Sequence, residues 1–328
     1  MKYRILGKTG FSVSEISLGT WQTGGKWGSA FNFKNAEQII NCAIDNGVNF
    51  IDTADVYSGG MSEAAVGRAV RSRTEKVYVA TKCGRQISPH INSEYQPKVL
   101  KKFIEDSLKR TGLDTLDLVQ LHCPPPEVYY RPEIFETFDR LKEEGKILNL
   151  GVSVEKVDEA LKAIEYPNVA TVQIIFNLFR QKPAELFFGE AVRQNIGIIV
   201  RVPLASGLLT GLYNSGTVFE TGDHRYFNRQ GEAFDKGETF SGINFELGLK
   251  AVDELKSLFP DAKNLAPYAL QWILNFKEVS TIIPGASKVD QVNSNLSVYD
   301  LPDLSPDQIL AMNNIYNQYI KKEVQNLW

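Results

Sequence analysis

The stretch FIDTADVYSGGMSE, residues 50–63, decides how this 328-residue chain is read. Phe50 and Ile51 open an apolar run fit for a buried strand, yet Asp52 and Asp55 stand inside it and Tyr57 comes where the strand should end. An acid inside a core is unfavourable unless it is paired. The segment therefore reads as a strand whose C-terminal end carries polar chemistry. The adjoining run SEAAVGRAVRS has the three- and four-residue apolar spacing of a helix.

Outward from this point the same strand-then-helix unit repeats. The strand candidates are ISLGTW, NFIDTADVY, KVYVATKC, LDLVQLH, ILNLGVSV, ATVQIIFN, IGIIVRVPL and VSTIIPGAS, eight in all. Helical patterns NAEQIINCAIDNG, KVLKKFIEDSLKRTG, PEIFETFDRLKEEG and KVDEALKAIE lie between them. Gly47, Gly112, Gly145 and Gly197 stand where helices are expected to stop. Strands that read as nearly continuous apolar runs predict a parallel sheet covered by helices. Eight such units predict an α/β fold of the closed (β/α)8 TIM-barrel type, in one domain over residues 1–328. The alternative, a doubly wound open sheet, would normally carry G-x-G-x-x-G in its first turn, and no βα turn here does. Three segments stand outside the repeat: YRILGKTGFSV predicts an N-terminal β-hairpin, residues 212–245 a long loop insertion, and about 306–321 an additional C-terminal helix.

The bulk composition narrows the function classes. A hydrophobic content of 43% is ample for a large core. A formal net charge of -3 without a Lys/Arg run argues against nucleic acid as a partner. Three scattered cysteines form neither a disulfide framework nor a metal site, so no metal is expected and a reduced, cytoplasmic location is. MKYRILGKTG lacks an apolar signal core, and no run approaches the roughly 18 apolar residues of a membrane span. Oligomeric state leaves no mark in the sequence.

Barrels of this kind place their sites at the C-terminal ends of the strands. Those ends offer Asp52, Asp55 and Tyr57, then Lys82, His122, Ser153, Gln173 with Asn177, Arg201, and the run Pro284 to Lys288. Singly, each has a bland reading: a packing tyrosine, a turn-capping aspartate, a surface lysine, a structural histidine. Converging on one mouth, they have a specific chemistry. A phenol with a pKa of about 10 is a poor acid at neutral pH. An adjacent ammonium is expected to lower that value, and Asp52 can hold Lys82 in place. Tyr57 then serves as general acid, with His122 orienting a substrate oxygen. The set suits reduction of a carbonyl.

At these residues the sequence resembles the aldo-keto reductase family, through FIDTADVYSGGMSE, VYVATKC, LDLVQLH, GVSV, QIIFN, VPLASGLLTG and IPGAS in the family's order. The resemblance implies a barrel closed at its base by the hairpin and a nicotinamide cofactor extended across its mouth. It implies the catalytic tetrad Asp52, Tyr57, Lys82 and His122. It assigns Ser153 and Gln173 to the nicotinamide carboxamide, with Val154 where many members have Asn. Arg201 falls where many members stack an aromatic on the nicotinamide, a variant of one bacterial branch, and a flat guanidinium can stack likewise. Thr20 and Trp21 border the cofactor, and Trp21, Tyr57 and His122 face the substrate, with Tyr129 or its neighbours nearby. Pro203, Leu204, Ser206, Gly207 and Leu209 are implied to fold over the pyrophosphate. Gly285, Ser287, Lys288, Gln291 and Asn295 are implied at the adenosine end. Ser287 and Lys288 at a helix start suit a 2′-phosphate, which favours NADPH over NADH, although Gln291 replaces the Arg of many NADPH-preferring members.

Other residues of these motifs are expected to be structural. Asp55 should hydrogen-bond locally, Glu63 should open a helix, and Cys83 and Cys123, adjacent to Lys82 and His122, should turn toward the helices. The leading expectation is reduction of a small-molecule aldehyde or ketone of moderate size. Two other classes compete: a slow, cofactor-binding regulatory subunit such as the family's potassium-channel β-subunits, and a Schiff-base aldolase using Lys82. The aldolase would leave IPGAS and VPLASGLLTG without a purpose.

Overall fold

The computed structural model describes residues 1–25 and 30–328. Strands β1 (Tyr3–Ile5) and β2 (Ser12–Ser14) form the antiparallel hairpin expected of YRILGKTGFSV. Eight parallel strands come next: β3 (Leu18–Gly19), β4 (Phe50–Asp52), β5 (Tyr78–Cys83), β6 (Leu116–His122), β7 (Ile147–Ser153), β8 (Val169–Ile175), β9 (Gly197–Arg201) and β10 (Val279–Ile282). They pair in chain order from β3 to β10. The ring is completed by parallel bridges from Ile16 to Ile282 and from Gly19 to Gly285, with the Ser17 amide donating to the Ile282 carbonyl at 2.8 Å.

Residues alternate between the barrel interior and the helix layer along each strand. Phe50, Ala80, Leu118 and Ile199 pack inside the base, where Leu6 and Val13 of the hairpin plug them from below. Two residues further along, on the same face, come Asp52, Lys82, Gln120 and Arg201. The apolar plug thus sets a floor, and the polar residues stand on it. The helices occupy Phe33–Asp45, Met61–Arg71, Pro97–Thr111, Pro132–Glu143 and Val157–Ala163, as the spacing predicts. The Asn32 side chain caps the first of these by accepting from the Asn35 amide at 3.0 Å.

Gly197 is not the helix stop expected of it. The left-handed backbone after helix Phe188–Arg193 falls on Asn195, at φ 54°, and Gly197 opens β9. Its hydrogen faces the plug: a Cβ there would lie 2.7 Å from Leu6 Cδ1. The glycine answers a close approach and not a turn.

Residues 212–245 pack onto the barrel mouth through a short helix, His224–Phe227, and the turns Lys236–Glu238 and Phe240–Gly242. Phe219, His224, Asn228 and Phe240 of this segment are buried. The C-terminal helix starts at Pro306 behind a Ser305 cap and runs to Ile315, then continues through a wider turn over Tyr316–Ile320. Met312, Tyr316, Ile320 and Val324 join the main core. Among the described residues, no helix is long and apolar enough to cross a membrane.

Candidate active site

Lys82, on β5, is 1% exposed, and Asp52, on β4, is 2% exposed. Removing two charges from water is unfavourable by several kcal/mol per ion unless every donor and lone pair is satisfied. Here they are. The Lys82 ammonium donates to Asp52 Oδ1, to the Thr53 carbonyl at 2.9 Å and to the Tyr57 hydroxyl at 3.2 Å. Asp52 Oδ2 accepts from Gln120 Nε2 at 3.0 Å and from Gln173 Nε2 at 2.8 Å. An ammonium has three donors and no acceptor, so the Tyr57 oxygen accepts from Lys82 and its own O–H is free to point into the cavity.

Tyr57 opens the turn Tyr57–Gly60, where Ser58 and Gly59 adopt left-handed angles and swing the ring back over the barrel. His122, at the end of β6, meets it edge-on, with ring centroids 6.0 Å apart. Trp21 stacks on the Tyr57 ring with centroids 6.4 Å apart. The tetrad read from the sequence is thus brought together at one mouth.

Burial pushes the Tyr57 phenol above its ordinary value; Lys82 opposes the rise and Asp52 adds to it. The expectation that Lys82 would bring the pKa below that value is corrected, because desolvation outweighs one neighbouring cation. A phenol so placed is fully protonated at neutral pH, as a proton donor must be. Lys82, 3.2 Å from the hydroxyl, would favour a tyrosinate over the phenol wherever that proton is given up. Burial, and then Arg85, Lys82, Arg201 and His90, press the His122 imidazole well below its usual range. His122 is neutral, and its buried Nδ1 has no hydrogen-bond partner among the described residues.

A cavity of about 500 Å³ runs from Tyr57 and Asp52 to Gln291 and Asn295. Of the residues read from the sequence, Thr20, Trp21, Gln173, Arg201, Pro203 and Leu204 line it. So do Ser206, Gly207 and Gly285. Ser153 and Leu209 are buried behind it. Ser287 and Lys288 stand outside its lining, and both the amide and the hydroxyl of Ser287 donate to Gln291 Oε1, at 2.7 and 3.1 Å.

The segment after β9 is the most contorted backbone at the mouth. Val202, Ala205 and Ser206 have φ of 51°, 47° and 56°, and Gly207 comes next at 94°. Left-handed conformations cost non-glycine residues about 1 kcal/mol or more each and gather at ligand sites. Successive amides in such a turn form a concavity suited to an anion. A Cβ on Gly207 would lie 2.4 Å from the Tyr213 hydroxyl. A strained amide turn beside an elongated cavity, with a proton donor at its far end, fits an extended dinucleotide.

Several contacts escaped the sequence reading. Gln120 shares the inward parity of His122 in LDLVQLH, which would have marked it. Glu238 has no such signal, lying in an aperiodic loop, yet its carboxylate lines the cavity. Cys123 was expected to face the helices. It lies just past β6 with φ 47°, which breaks the alternation, and its sulfur sits 3.7 Å from both Ser153 Oγ and Arg201 Nη2. Burial pushes its thiol up to about 11, so it is not a nucleophile at neutral pH. Cys83 packs into the main core as expected. Glu63 opens its helix and is fully buried, accepting from Thr81 Oγ1 and from Arg110 Nε, each at 2.5 Å.

The Asp55 side chain turns locally toward the Val56 amide, as expected, but in a geometry too poor for a full hydrogen bond, and both of its carboxylate oxygens are buried without a well-formed partner among the described residues. Burial, aided by Glu63 and opposed by Arg110 and the Val56 amide, pushes its carboxyl up to about 7. A raised carboxyl pKa adds stability at low pH that is lost as pH rises through the folded-state value. Asp55→Asn should therefore gain stability over wild type between pH 5 and 8, by roughly 2–3 kcal/mol in urea unfolding. A difference that stays flat with pH would mean that Asp55 has a cationic partner.

Known proteins share the fold. The aldo/keto reductase family model matches residues 15–317. The chain is 30% identical to the aldo-keto reductase YhdN of Bacillus subtilis, over 90% of this chain and 87% of that one. It is 29% identical to the NADH-specific methylglyoxal reductase of Escherichia coli, over 92% and 94%. Among solved structures, the glycerol dehydrogenase of Gluconobacter oxydans superposes with a TM-score of 0.76 at 31% identity, over 99% and 97%. This chain belongs to the aldo/keto reductase family, and with it to the oxidoreductases.

Proposed function

We propose that the protein reduces aldehydes or ketones to alcohols, with Tyr57 as the proton donor and NADPH as the preferred cofactor. The observation that carries this reading is the Lys82 ammonium held between Asp52 and the Tyr57 hydroxyl at the mouth of the cavity. A reduced nicotinamide bound there supplies the hydride for the carbonyl carbon. The residues do the rest. Tyr57 gives its proton to the carbonyl oxygen as negative charge develops on it, and Lys82, already within 3.2 Å, stabilises the tyrosinate. His122, neutral, hydrogen-bonds the same oxygen and fixes the substrate. Asp52 keeps Lys82 in place, and Gln120 and Gln173 keep Asp52 in place. Arg201 and Gln173, which line the cavity, would hold the nicotinamide end, and the turn through Ser206 and Gly207 the diphosphate.

The NADPH preference rests on Ser287 and Lys288 at the start of helix Val289–Leu296. NADPH should bind at least about tenfold tighter than NADH in a fluorescence titration of the whole chain, and Lys288→Ala should reduce that ratio. Equal affinities would remove Ser287 and Lys288 from the reading. An initial-rate screen of aldehydes and ketones tests the activity itself. Cofactor binding with turnover too slow to follow would support the regulatory-subunit alternative instead.

A further inference from the structure

The Glu238 carboxylate bridges two arginines at the mouth of the barrel. Glu238 Oε1 lies 3.2 Å from Arg85 Nη1 and 3.4 Å from Arg201 Nη1. Arg85 lies just beyond β5 and Arg201 ends β9, the third and seventh strands of the ring, so the two guanidiniums reach Glu238 from opposite sides. Arg201 also donates to the Val154 carbonyl at 2.9 Å. A second acid, Glu155, lies 3.8 Å from Arg85 Nη2, but burial, with Asp235 and Glu238, pushes its carboxyl up to about 7. At neutral pH it is only partly charged. For Glu238, burial opposes ionisation, but Arg201 and Arg85 outweigh it and hold the carboxyl below its usual range.

Glu238 is also held by its backbone. Its carbonyl accepts from Ser206 Oγ at 2.9 Å, and its amide donates to the Asp235 carbonyl at 3.0 Å. The Asp235 carboxylate in turn accepts from the Trp328 indole at 2.9 and 3.0 Å. Trp328 is buried and carries the Arg180 guanidinium over its ring at 4.1 Å. The turn is therefore tied to the barrel on both sides, and its charge cannot drift away from the arginines without breaking these contacts.

The consequence is electrostatic. Two cations beside His122 would, if bare, attract a carboxylate or phosphate on a substrate. With Glu238 between them much of that attraction is already used, and an incoming anion has to displace a carboxylate fixed in a partly dehydrated site. Trp21, on the cavity wall, lies 4.9 Å from the His224 ring and 6.1 Å from that of Phe234.

We propose that Glu238 is a specificity-determining residue: by occupying Arg85 and Arg201 it bars carbonyl compounds that bear an anionic group and reserves the site for uncharged aldehydes and ketones. This rests on the carbonyl-reductase reading of the site.

The test compares wild type with Glu238→Gln, which keeps size and removes charge. Benzaldehyde and 4-carboxybenzaldehyde serve as the turnover pair, and benzoate, followed by tryptophan fluorescence, as a binding probe that needs no turnover. Wild type should prefer benzaldehyde in kcat/KM by at least about tenfold, and Glu238→Gln should erase most of that preference. Benzoate should bind Glu238→Gln at least about tenfold tighter than wild type, and Arg85→Gln added to it should abolish the gain. Equal reduction of both aldehydes by wild type, a measurement that needs no variant, would overturn the proposal. So would benzoate binding unchanged by Glu238→Gln. Should the wild type reduce no carbonyl at all, the activity reading fails, while the benzoate comparison still decides the role of Glu238.

Discussion

Tyr57→Phe will lower the rate of carbonyl reduction by roughly 10³-fold, within the range a positioned general acid contributes, while cofactor affinity changes by less than about threefold. The substitution keeps the ring, and with it the contacts to Trp21 and to His122. It removes the one hydroxyl that both accepts from Lys82 and can donate to a substrate. Hydride transfer to a carbonyl whose oxygen receives no proton must build an alkoxide in a dehydrated site, and neither His122 nor Lys82 can supply that proton. His122 is neutral because burial and the surrounding cations hold its pKa down, and Lys82 is engaged on all three donors. Steady-state rates with any accepted aldehyde, alongside a fluorescence titration with NADPH, check the result. A variant that keeps a tenth or more of the wild-type rate would assign the proton to another group and remove Tyr57 from the mechanism.

Lys82→Met should have two effects of different origin. The rate should fall by at least about 10²-fold, because the tyrosinate loses its adjacent cation. Stability should fall by about 3–5 kcal/mol in urea unfolding, because Asp52 is left charged and buried with only the amides of Gln120 and Gln173 to satisfy it. The double variant Asp52→Asn/Lys82→Met separates the two. It removes both charges and should recover most of the lost stability while recovering none of the rate. If activity returned together with stability, Lys82 would be a structural residue alone and the electrostatic account would be wrong.

How much of this could be read from the sequence differs from group to group. The eight strands and their helices were legible because burial on both faces leaves a local record, mostly apolar runs ended by polar residues. The tetrad was legible because the C-terminal ends of barrel strands share one rim, and parity tells which residues face inward. Gln120 obeyed the same parity and was passed over. Gly197 misled, since a glycine needed for close approach looks the same in sequence as one needed for a turn. Cys123 misled because one left-handed residue overrides alternation. Glu238 could not be found, because a loop without periodicity does not say which part of the barrel it will touch.

By itself the sequence determined the architecture, the family resemblance, and the strand-end tetrad, because hydrophobic period and strand polarity are local properties of a chain. The tertiary structure alone decided the charge state of the site. The phenol of Tyr57 sits above its solution pKa, Asp55 and Glu155 near 7, and two arginines share one carboxylate from a distant loop. Desolvation and Coulomb energy depend on distances through space between segments far apart in the chain, and those distances exist only once the barrel has closed.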